Sequence, residues 1–151
     1  LSRIAALEPA AVPGTDFSAV IGRGAERAGH RAMIVLVSDL WGADRSTEIA
    51  LGSLAARGHD VALFHLLSPD ENDLPFYRAG TFAGLEGEGE VEVNPALVRD
   101  SYRRELDAWR ERWRRACGEA GIDLVSALTS EPVESVIGEF ARRRHRGGAR
   151  R

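Results

Sequence analysis

Ala32-Met-Ile-Val-Leu-Val37 and Val61-Ala-Leu-Phe-His-Leu-Leu67 decide the fold. Each is a short, nearly unbroken apolar run, the pattern of a parallel strand covered on both faces. Between them, Thr47 to Arg57 reads as a helix. Ser46 or Thr47 supplies a hydroxyl for its first turn, and Gly58 stands where a left-handed residue is wanted after its last. Strand, helix and strand in so short a span make a βαβ unit with a right-handed crossover.

Upstream, Phe17, Val20, Ile21, Gly24 and Ala25 share one helical face, with Thr15 or Asp16 as the cap. Downstream, Ser68 to Asn94 loses the rhythm. Its prolines and glycines, followed by the alternation Glu88 to Val93, predict a loop and a small β-hairpin at about 80–93. Asn94-Pro95 opens the longest helix, asparagine as cap and proline in the first turn. Its apolar stripe is Val98, Tyr102, Leu106, Trp109, Trp113 and Cys117, read as packing, and Gly121 ends it. Ile122 to Leu128 is a third strand, and Ser130-Glu-Pro132 starts a last helix with apolar Val133, Val136, Ile137 and Phe140. The fold class expected is α/β: three layers, α/β/α, around a mainly parallel, Rossmann-like sheet. Three strands make that sheet incomplete, with an open edge where further strands can pair. A single domain over 1–141 is expected, followed by a frayed basic tail, 142–151.

The 151 residues are 44% hydrophobic and 28% charged, ordinary globular composition that excludes wholesale disorder. The longest apolar run is too short to cross a bilayer. Leu1 opens the chain with no charged-then-apolar leader behind it, so no signal peptide is expected and an upstream part is. The lone Cys117 excludes an internal disulfide and a cysteine-built zinc site, and reads as a small apolar filler. It fits a reducing compartment, and the expected location is the cytoplasm. The net charge of −3 is uneven: 142–151 hold six Arg and no acid, and 99–115 hold seven Arg against four acids, so the remainder is strongly acidic. Every side-chain cation but histidine is Arg.

In open α/β sheets ligands sit at the carboxyl ends of strands. The first strand ends in Ser38-Asp39-Leu40-Trp41, which places Asp39 where a functional carboxylate belongs, or where a turn needs a cap. Thr15 lies on a loop expected at the same rim, as a neutral metal ligand or as a helix cap. Trp41 is either an exposed partner contact on that rim or a strand-end anchor. The histidines, His30, His59, His65 and His145, lack metal-ligand spacing, and His65 reads as a hydrogen-bonded core residue. No phosphate-binding loop of the Gly-x-x-x-x-Gly-Lys kind exists, and no Gly-x-Ser-x-Gly.

Pro13-Gly-Thr-Asp-Phe17, Met33-Ile-Val-Leu-Val-Ser-Asp-Leu40, Arg57-Gly-His-Asp-Val61, Leu74-Pro-Phe76 and Cys117 through Ile122-Asp123 occur in this order over nearly the whole chain. Together they resemble the DUF58 family, a branch of the von Willebrand factor A-like domains. The resemblance implies a metal-ion-dependent adhesion site made of an Asp-x-Ser-x-Ser loop, a later Thr and a later Asp. Thr15 and Asp39 match the last two. The first motif has no match here and would lie upstream of Leu1, so the chain resembles the C-terminal part of such a domain. Mg²⁺ or another divalent cation is the implied cofactor. The implied role is a noncatalytic protein-interaction domain, an adaptor or assembly factor working with a MoxR-type AAA+ ATPase, in the cytoplasm or at the cytoplasmic face of a membrane.

Two other readings follow from the residues. Asp39 could serve a metal-assisted hydrolase, with Asp70 and Thr129 beyond the other strands. The Arg-rich tail could bind nucleic acid or another anionic surface through its charge. No recognition fold accompanies it, so nucleic acid is not the expected partner.

Overall fold

A computed structural model of the chain describes residues 16–83 and 89–148. The elements run α1 Phe17–Ala28, β1 Met33–Ser38, α2 Arg45–Ala56, β2 Asp60–Leu67, α3 Pro69–Asp73, β3 Gly80–Ala83, β4 Glu90–Val93, α4 Pro95–Ala120, β5 Asp123–Leu128 and α5 Val133–Gly148. β1, β2 and β5 form a parallel sheet in the order β1-β2-β5, and β3 and β4 form a separate antiparallel pair. The expected βαβ unit, the third parallel strand and the surface hairpin are all present.

Strand register divides the sheet into two faces. Ile34, Leu36, Val61, Leu63 and Leu124 pack with Phe17 and Ile21 of α1, Leu51 and Leu54 of α2, and Trp113 and Cys117 of α4. Ala62, Phe64 and Val125 on the opposite face meet Phe140 and Val136 of α5. Phe64 and Phe140 meet edge to face with centroids 5.1 Å apart, a favoured aromatic geometry. The result is three layers, α/β/α. α5 covers β2 and β5 but not β1, so Met33, Val35 and Val37 stay about half exposed on that side. Among the described residues, no strand pairs with the outer edge of β1.

Local signals explain most element ends. Asp16 caps α1, its carboxylate accepting from the Ala19 amide at 3.0 Å. The Asn94 side chain caps α4 through the Ala96 amide at 3.2 Å, and Gly121 ends that helix at φ 68°, a conformation that favours glycine. At α2 the cap differs from expectation. Asp44 holds it, accepting from the Ser46 and Thr47 amides at 2.9 and 3.2 Å, while Thr47 answers from the third position. A carboxylate outcompetes a hydroxyl there because it accepts several N–H bonds with a full negative charge beside the helix N-terminus.

The last helix continues past Arg142 to Gly148, into the basic tail expected at 142–151, of which residues 149–151 lie outside the described residues. Arg144 explains the extension: its guanidinium donates to Asp60 and lies 3.6 Å from Asp123, at the starts of β2 and β5. One further arginine of the segment, Arg143, pairs with Glu139 along the helix.

Candidate functional site

The rim above the sheet is built by β1 and β2 at their carboxyl ends and by α4. A single turn shapes it. The Leu40 amide donates to Ser38 Oγ at 2.9 Å, and the Trp41 amide donates to Asp39 Oδ1 at 2.9 Å. Leu40 between them is left-handed, φ 58°, and fully buried. A non-glycine residue in that region is strained by about 1 kcal/mol or more and persists only where its surroundings hold it. Burial of the Leu40 side chain supplies that hold. Because Leu40 plunges inward, Trp41 is turned out and remains 74% exposed.

Asp39 is thus at the strand end, as expected, and it does cap the turn. Its Oδ2 accepts no hydrogen bond among the described residues. Thr15, the second residue expected at the rim, lies outside the described residues, as does every residue before Asp16. A hard cation takes about six to eight oxygen ligands. Among the described residues no group of three or more His, Cys, Asp or Glu side chains is placed to hold a metal, so the donors present there do not fit such a site.

A cavity of about 310 Å³ opens beside Asp39 instead. Leu67, at the end of β2, and Leu106 and Trp109 of α4 form its walls, with Trp41 and Tyr102. Three carboxylates, Asp39, Glu71 and Glu105, share its lining. The cavity follows from unequal lengths. α4 has 26 residues and antiparallels strands of 6 to 8, so its first turns overhang the sheet. The apolar stripe of α4 therefore splits. Trp113 and Cys117 lie over the sheet and are buried, Trp109 packs over the end of β2 against His65, and Tyr102 and Leu106 run beyond it; the last three line the hollow. From sequence, Trp109 reads as core or interface packing rather than as part of a ligand cage; it does pack against the core and also lines the hollow, and helical spacing carries no signal to separate the two roles.

Neighbours fix the walls. Ser68 and Glu71 close a capping box on α3, with the Ser68 amide donating to Glu71 Oε2 at 2.7 Å. The Tyr102 hydroxyl donates to the Glu71 carbonyl. Burial, with the Glu71 charge, pushes the Tyr102 hydroxyl above the usual phenol range, so it stays a donor. Arg110 donates to Asn72 Oδ1 at 2.6 Å, tying α4 to α3. Beneath Trp109 lies His65, 3% exposed, whose Nε2 finds no partner among the described residues. Burial lowers its pKa, Arg110 lowers it further, and Asp39 opposes both.

The family model described as "Protein of unknown function DUF58" matches residues 1–112. The chain belongs to the DUF58 family. That match takes in β1, the Asp39 turn, β2 and the part of α4 that lines the cavity, so the whole rim lies within the DUF58 region. No curated protein and no solved structure matches the chain significantly.

Proposed function

We propose that this DUF58 chain is a noncatalytic protein-interaction domain, an adaptor or assembly factor for a MoxR-type AAA+ ATPase, with the Asp39–Trp41 rim as its recognition face. One observation carries the reading: a strained, buried Leu40 holds a large aromatic side chain in solvent beside a preformed, mostly apolar cavity. Exposed aromatic anchors beside pockets are the usual centres of binding energy at protein interfaces. The location supports it, since ligands of parallel α/β sheets gather at this end. Among the described residues no helix is long and apolar enough to cross a membrane.

Titrating a MoxR-type ATPase from the same genome into the full-length protein tests the reading. Association is expected, and Trp41→Ala is expected to weaken it by at least about tenfold, the effect of losing a moderate interface anchor. Binding that ignores Trp41→Ala overturns the assigned face, and no binding overturns the adaptor role. Turnover of generic phosphate esters that disappears in Asp39→Ala would instead make the protein an enzyme. The divalent cation that the resemblance implies on Asp39 and Thr15 is tested separately by Mg²⁺ or Mn²⁺ calorimetry, where no binding, or binding that Asp39→Ala leaves unchanged, removes that assignment.

A further inference from the structure

We infer that the hollow between Trp41, Tyr102 and Trp109 receives an arginine side chain presented by the protein partner. This deepens the reading of the rim as a recognition face and rests on it.

Size comes first. Sites for small ligands span about 300–1,000 Å³. At about 310 Å³ the cavity sits at the bottom of that range, suited to one long side chain rather than a nucleotide-sized molecule. Its chemistry is equally selective. The walls present aromatic rings from Trp41, Tyr102 and Trp109, whose faces attract cations. Asp39 and Glu105 are exposed, and neither pairs with a cation among the described residues. Glu71 adds a third negative charge while capping α3. Among the described residues no arginine lines the cavity; Arg110, next to Trp109 in the chain, is turned to Asn72 and lies 3.7 Å from Asp107.

Alternatives fail on the same chemistry. An anion would face three carboxylates. A neutral apolar guest would leave those charges partly desolvated and unanswered. A metal ion finds too few oxygens among the described residues that line the hollow. Between the organic cations, an ammonium is a strongly hydrated point charge, whereas a guanidinium is planar, weakly hydrated, stacks on aromatic faces and forks onto carboxylates. Rings and acids in one hollow therefore favour arginine over lysine.

The test uses the blocked peptide acetyl-Gly-Arg-Gly-amide against the full-length protein, followed by the indole N–H signals of its tryptophans. Trp113, buried in the core, is the internal control. Saturable shifts of Trp41 and Trp109 are expected, with Trp113 still. The citrulline peptide, equal in shape but uncharged, is expected to bind about tenfold more weakly or not at all. Trp41→Ala and Glu105→Gln, both at exposed positions that leave the fold intact, should each weaken binding about three- to tenfold. Equal binding of the citrulline peptide, shifts confined to other residues, or preference for acetyl-Gly-Glu-Gly-amide overturns the inference. Failure here with a Trp41-dependent ATPase complex removes only the arginine assignment. Peptide binding with no ATPase association removes only the adaptor role.

Discussion

The imidazole of His65 lies under the indole of Trp109, ring centroids 4.7 Å apart and planes tilted by 55°. Through this contact the central strand supports the overhanging part of α4 and hence the cavity wall. A protonated His65 would sit buried, near Arg110, with Nε2 unpartnered among the described residues. The folded protein resists that proton, so its pKa falls below the ordinary 6.5. The sign follows. Below about pH 6.5 the unfolded chain takes up a proton that the folded chain refuses, so stability is lost as pH drops toward the folded value and is full above 6.5. Urea midpoints measured between about pH 7 and pH 5 should decline, and His65→Gln should flatten the part of the slope that belongs to this residue.

Trp113 and Trp41 should separate cleanly under alanine substitution. Trp113 is 2% exposed and fills the core between α4 and the sheet, so Trp113→Ala should cost about 3–5 kcal/mol. Trp41 is 74% exposed, and Trp41→Ala should change stability by no more than about 0.5 kcal/mol. Denaturant titration of the two variants checks both. A large loss for Trp41→Ala would mean that the side chain anchors the fold rather than awaiting a partner.

Burial, and secondarily the Glu48 charge, push the Cys117 thiol up to about 11. The thiolate is the reactive form, so at neutral pH almost none exists in the folded protein. Alkylation should proceed only through unfolding, with a rate that follows denaturant concentration. Fast labelling in native buffer would contradict this placement.

Glu48 joins two helices. Its carboxylate, 6% exposed, lies 2.7 Å from Arg45 and 3.0 Å from Arg112, linking α2 to α4. Both arginines keep access to water, so deletion of the acid strands no buried cation. Glu48→Ala should therefore lose the charge-assisted bonds alone, about 1.5–3 kcal/mol. A double-mutant cycle with Arg112→Ala reads the coupling directly.

The sequence by itself determined the parallel βαβ frame, the surface hairpin, the Asn94-Pro95 start and Gly121 end of α4, and the position of Asp39 at a strand end. These are local matters: apolar period, capping chemistry and left-handed glycine act within a few residues of one another. Other points are of a kind local pattern cannot settle. The cap of α2 passed from Ser46 or Thr47 to Asp44 because side chains compete for the same amides, and the last helix ran past Arg142 because Asp60 and Asp123 wait at distant strand starts. Tertiary structure alone decided that the stripe of α4 divides between core and cavity. Helical periodicity says which side of a helix is apolar, but the length of sheet beneath it says where that side stops being covered.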